Sequence, residues 1–302
     1  MKKLSLLIVL LFPVCLFSQQ IADTTYNPTI NNPEYGMGEG PVVFIDEGHN
    51  NFHTKNGRYK AFASLLERDG YKVKEYEGPF DKDKLAEGKI LVISNALNAI
   101  NLDDWFLPTP SAFTASEIEV VRGWVSEGGS LFLIADHMPM AGAAQDLAAA
   151  FGFEFTNGFA LNTESQGPSL FDLKEKTLFE SIITKGRDTS ESVTQAATFT
   201  GQAFKIPDHA TPILIFNNRH TNFLPDTAWV FNDKTTKYNI EGWSQGAYTE
   251  YGRGRVVVFG EAAMFTAQLA GPDAIKTGMN STEAARNFQL LLNIIHWLDG
   301  RL

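Results

Sequence analysis

Val42-Val43-Phe44-Ile45, Ile90-Leu91-Val92-Ile93 and Leu131-Phe132-Leu133-Ile134 are short runs with no polar residue, and a polar group follows each within two residues. A segment that is apolar on both faces of its pleat fits only a sheet covered on both sides, which is where parallel strands lie. Helical patterns separate the runs. Tyr59, Phe62, Leu65 and Leu66 recur at helical spacing ahead of Gly70, placed as a C-cap glycine. Thr114-Ala115-Ser116-Glu117 matches a capping box and opens a helix through Ile118, Val121 and Val125 to Gly128-Gly129. Lys72 to Tyr76 reads as a further strand, and a helix is expected from about Gly142 to Phe151. This βαβα alternation predicts an α/β protein built on a doubly wound, mostly parallel sheet.

The rhythm breaks over residues 156–250, where polar loops mix with alternating segments such as Thr194 to Phe204. An inserted subdomain is expected there, as an antiparallel ribbon packed on the sheet. Arg255 to Phe259 restores the core pattern, and a closing helix is expected over about Thr282 to Leu298. Residues 41–302 thus read as one domain with an insertion. Residues 19–40 have no apolar period and read as an extended leader that offers few apolar groups to offset the entropy of ordering. Lys2 and Lys3, the apolar stretch Leu6 to Phe12 and Ser18 have the layout of a cleavable secretory signal over residues 1–18, and the stretch is too short to span a bilayer. The expected location is periplasmic or secreted.

Cys15 is the only cysteine and falls inside that signal, so thiol nucleophiles, cysteine ligands and disulfides are excluded from the mature chain. The net charge is −10, and no block of five like charges occurs, which argues against nucleic acid as a partner. No Walker loop is present, and Gly242-Trp243-Ser244-Gln245-Gly246, although it spells G-x-S-x-G, is flanked by polar loop rather than by an apolar strand and a helix, so Ser244 is not read as a nucleophile elbow. The chemistry must therefore come from carboxylates and histidines.

Ligands of open parallel sheets bind beyond the carboxyl ends of the strands. Four strands here end in polar groups: Asp46-Glu47, Asn95, Asp136-His137 and Glu261, with His49 close to the first. Asp and Glu at strand ends also cap helices routinely, so the same residues admit a purely structural role. His137 leaves a buried strand where α/β enzymes place bases. His49 and His53, four apart with Asp46 before them, resemble metal-ligand spacing, but Gly48 and Asn50-Asn51 suggest a turn in which they need not converge. A divalent metal is left open by this pattern and no cofactor is identified. His209 and His220 are expected at the surface, and His296, in the apolar closing helix, is expected to be structural.

Three stretches carry a resemblance: Gly128 to His137, Gly254 to Phe265 and Asn287 to Gly300. They resemble the class I glutamine amidotransferase-like superfamily, of flavodoxin-like layout, and in particular its exported branches near the trehalose-utilisation-like proteins. In true amidotransferases a cysteine occupies the turn after a central strand and a His-x-Glu pair follows a later one. Here Asp136-His137 and Glu261 occupy those places, so cysteine-dependent glutamine hydrolysis is excluded. The resemblance implies the sheet and the place of the site.

The resulting expectation is a hydrolase acting on a small polar or carbohydrate-derived molecule. His137, Asp136 and Glu261 would be catalytic, and Asp46, Glu47, His49 and Asn95 would line the substrate site. The alternative is a non-catalytic ligand-binding or protein-interaction module of the same fold.

Overall fold

The apolar runs form the centre of a nine-stranded sheet in the computed structural model, which describes residues 20–302. From one edge the order is Lys72–Tyr76, Val42–Asp46, Ile90–Ser94, Ser130–Ile134 and Gly254–Phe259, all parallel. Side chains along each strand divide strictly between two cores, as the pleat requires. Val43, Ile45, Phe132, Ile134, Val257 and Phe259 face the helices Lys60–Arg68 and Asn287–Asp299. Phe44, Leu131, Leu133, Val256 and Val258 face Ala115–Ser126 and Met140–Ala149. Both faces of the inner strands are covered, which is why their middles carry no polar residue, whereas the edge strand Lys72–Tyr76 exposes Lys72 and Lys74.

The doubly wound, mostly parallel expectation holds for that half only, and the sheet as a whole is mixed. Ser244–Tyr251 pairs antiparallel with Gly254–Phe259 along its length, and Phe204–Lys205, Glu154–Phe155 and Thr211–Ile215 extend the sheet further. Part of residues 156–250 therefore continues the main sheet rather than packing on it. The rest builds a three-stranded sheet, Phe159–Asn162 with His220–Leu224 and Thr236–Asn239, and a two-stranded one, Ser169–Asp172 with Gln195–Thr198. Gly246 is a strand residue that stands opposite Phe259, whose ring a Cβ at that position would meet at 2.7 Å.

Thr114 makes the expected capping box with Glu117. The closing helix begins at Asn287, later than expected, and ends at Gly300, which takes the left-handed cap conformation. The segment read as a leader is joined to the domain. Gln20–Ala22 is a strand paired antiparallel with Ala267–Ala270, Tyr35 N–H donates to the Asp69 carbonyl, and the Tyr35 ring meets Tyr71 edge-on. The expected signal falls outside the described residues, among which no helix is long and apolar enough to cross a membrane.

Candidate functional site

The strand ends open onto a cavity of about 490 Å³, a size usual for small-molecule sites. Asn95, Asp136, His137 and Glu261 all line it, so three parallel strands deliver four of the seven expected site residues to one place.

Asn95 holds Asp136 in position. Its backbone is left-handed at φ +50, a conformation asparagine tolerates, and its Oδ1 accepts the Asp136 N–H at 2.8 Å. Asp136 Oδ1 in turn accepts the His137 N–H at 2.9 Å. His137 Nδ1 lies 2.6 Å from the Met138 carbonyl oxygen, so Nδ1 carries a proton and Nε2 is the ring's acceptor when the imidazole is neutral. Phe159 stacks on the His137 ring at 4.2 Å and Trp229 meets it edge-on at 4.8 Å, which fixes its plane. Trp229 does this from a left-handed backbone, φ +67, strained for a bulky residue and found mostly at ligand-binding segments.

Glu261 is buried, and its two carboxylate oxygens accept the N–H groups of Ala263 and Met264, both at 2.8 Å. It thus caps the short 3₁₀ turn Ala263–Phe265 as well as lining the cavity. Burial and then the Asp136 charge push its pKa well above the ordinary carboxylate value, against the backbone donors. A protonated Glu261 can still accept both N–H groups and keeps one O–H to donate. Asp136 and His137 have no such capping role: the helix Met140–Ala149 begins at Pro139 without a side-chain cap.

The other three expected residues lie elsewhere. Asp46 is buried and accepts hydrogen bonds from Gly48 N–H, from Asn51 and from His49 Nδ1 at 2.9 Å. His49 Nε2 reaches Glu117 Oε1 at 3.0 Å, between the rings of Phe80 and Phe113. This closed network joins the first strand to the capped end of Ala115–Ser126, and it points away from the cavity because the chain reverses tightly after Asp46. At Gly48 a Cβ would stand 2.3 Å from the Gly78 carbonyl oxygen, and Asn50 is left-handed. Glu47 accepts the Lys55 N–H at 2.7 Å and is likewise absent from the lining.

The same reversal separates His49 from His53, which lines the cavity instead. Among the described residues no three of His, Cys, Asp and Glu converge to hold a metal ion. His53 was legible only as a loop histidine, and Arg58, Trp105 and Trp229 carried no signal of their own, although all line the cavity. Burial and then the Arg58 charge hold the His53 pKa down at about 3, and its Nδ1 has no hydrogen-bond partner. His220 is buried rather than solvated, with Nδ1 2.9 Å from Asn217 Oδ1.

No family model and no curated protein matches the chain. Solved structures do: the mmIFT52 N-terminal domain superposes with a TM-score of 0.60 at 14% identity, over 85% of this chain and 97% of that one. A ThuA-like protein from Bacteroides uniformis gives 0.47 at 12% identity, over 90% and 94% of the two chains. A GMP synthase-like protein from Thermoplasma acidophilum gives 0.41 at 11% identity, over 85% and 94%. Only the first likeness is close enough to bear on the fold, and it bears on nothing else.

Proposed function

We propose that this cavity is the active site of an exported hydrolase acting on a small polar, carbohydrate-like molecule, in a cysteine-free relative of the class I amidotransferase-like proteins. The observation that carries the reading is the convergence of Asp136, His137, Glu261 and Asn95 on one aromatic-walled cavity. Trp105 and Trp229 offer flat apolar faces to a sugar-like ring, and the strand ends offer acid and base.

In this reading His137 Nε2 takes a proton from a water molecule, whose oxygen bonds to the substrate atom under attack. The bond to the leaving group breaks with its electron pair, and the leaving group takes the proton of Glu261. Solvent then carries the proton from His137 back to Glu261. The Asp136 carboxylate stabilises the imidazolium formed in between.

The test is turnover of chromogenic aryl glycosides and aryl sugar esters by the wild-type chain, with His137→Ala expected to lower the rate by roughly a hundredfold or more. The cap role of Glu261 favours one second reading, a binding module that does not turn over. Calorimetric binding of monosaccharides without hydrolysis would select it. Neither binding nor turnover would remove both.

A further inference from the structure

Among the described residues, Arg58 is the one lysine or arginine lining the cavity, where it faces a wall that otherwise carries only acids, histidines, amides, hydroxyls and apolar groups. It is half-buried, and its guanidinium lies over the Phe52 ring at 4.1 Å. Its hydrogen bonds both leave from Nη1, to Gln20 Oε1 at 2.9 Å and Gln268 Oε1 at 3.3 Å. Among the described residues Nε and Nη2 donate to nothing, and no carboxylate comes within ion-pair distance, in a chain with 35 acidic residues. Burying a guanidinium without a counter-charge is costly. The side chain is nevertheless fixed in place by two neutral amides and an aromatic face, which orient it without neutralising it. The Nε and Nη2 donors form the edge of the guanidinium that matches two oxygens of a carboxylate or phosphate. Beside it stands His53, 3% exposed, kept neutral and with a ring nitrogen unpartnered.

We infer that the ligand of this cavity carries an oxyanion, a carboxylate or a phosphate, which Arg58 receives through Nε and Nη2. The inference rests on the cavity being a small-molecule site and narrows its ligand from neutral sugars to sugar acids or sugar phosphates. Gln20 and Gln268 are positioning residues, since their amide oxygens hold Nη1 and leave the other edge of the fork open.

The experiment is calorimetry with galactose, galacturonate, galactose 6-phosphate and inorganic phosphate, on the wild-type chain, Arg58→Gln and Arg58→Lys, with thermal melting to confirm that each variant is folded. An anionic sugar should bind at least about tenfold more tightly than galactose, as expected of charge-assisted hydrogen bonds. Arg58→Gln should abolish the preference, and Arg58→Lys should retain only part of it because the two-point geometry is lost. Whether galacturonate or galactose 6-phosphate binds better identifies the anion. Equal binding of galactose and both anionic sugars overturns the inference while leaving the carbohydrate reading intact. Binding of inorganic phosphate alone, lost in Arg58→Gln, upholds the anion site and removes the carbohydrate reading. No binding of any of the four, or anion binding that survives Arg58→Gln, overturns the inference.

Discussion

His296 Nε2 lies 2.6 Å from Asp69 Oδ2, and both side chains are completely buried. Asp69 ends the helix Lys60–Arg68 and its Oδ1 also accepts the Glu34 N–H at 2.9 Å, so one carboxylate joins that helix, the closing helix and the N-terminal segment. His296→Ala would leave the carboxylate with a lost partner beside a void. A loss of about 3 kcal/mol in unfolding free energy is expected in urea titrations, with ligand binding per folded molecule unchanged.

The Asp46–His49–Glu117 network predicts a bell-shaped dependence of stability on pH. Burial opposes protonation of His49, but Asp46 and then Glu117 outweigh it and raise the ring's pKa above 6.5. Burial likewise opposes ionisation of Glu117, yet hydrogen bonds from Thr114 and His49 bring its pKa down to about 2. A raised histidine stabilises fully below its unfolded value and ceases to do so as pH climbs through its folded value. A lowered carboxylate stabilises fully above its unfolded value, 4.5, and ceases to do so as pH falls toward 2. The network's contribution should therefore be greatest between those unfolded values, and urea midpoints should fall on either side. Glu117→Gln should flatten both limbs; an unchanged profile would show that the network is uncharged.

Asp136→Asn keeps an oxygen for the His137 N–H but removes the charge that helps to raise the Glu261 pKa. A carboxyl raised in the folded state weakens the fold as pH rises above its unfolded value, so relieving the rise should leave the melting temperature unchanged or higher at neutral pH. Ligand affinity or turnover should be lost. A strongly destabilised Asp136→Asn with full function would make the residue structural.

Two substitutions separate the roles of Glu261. Glu261→Ala leaves the N–H groups of Ala263 and Met264 without acceptors and should cost about 1 to 2 kcal/mol in chemical denaturation. Glu261→Gln keeps one acceptor oxygen and should cost less, yet it cannot supply a proton. Turnover should therefore vanish in both variants, and a fully active Glu261→Gln would remove the residue from the chemistry.

The joined N-terminal strand also has a measurable consequence. Register pairs Ile21 with Leu269, so the backbone amides of Gln20–Ala22 and Ala267–Ala270 should exchange with solvent slowly as a group. Fast exchange at Ile21 would show the strand detached and Arg58 without its Gln20 partner.

The inner strands of the parallel half were legible because they are buried on both faces and say so in nearly every residue. Ser244–Tyr251 was not, although most of it is buried, because Gly246, Thr249 and Glu250 break any apolar run. Strand-end position was enough to anticipate that Asn95, Asp136, His137 and Glu261 meet at one cavity, since the backbone of a parallel sheet fixes where those residues emerge. It does not say that Asp46, Glu47 and His49 turn away from that cavity, because the direction of one tight turn decides which side they face. Arg58 and Trp229 come from connecting segments whose path depends on distant packing, and no local pattern records it.

The strand Gln20–Ala22 finds its partner near the other end of the chain, and that pairing brings Gln20 to the cavity beside Gln268 and Arg58. The central parallel strands can close from shorter loops and should form earlier. Binding competence is thus expected to arrive as a late step in refolding, after most of the secondary structure, and a nascent chain would be inert toward its ligand until Ala267–Ala270 had emerged and paired with Gln20–Ala22.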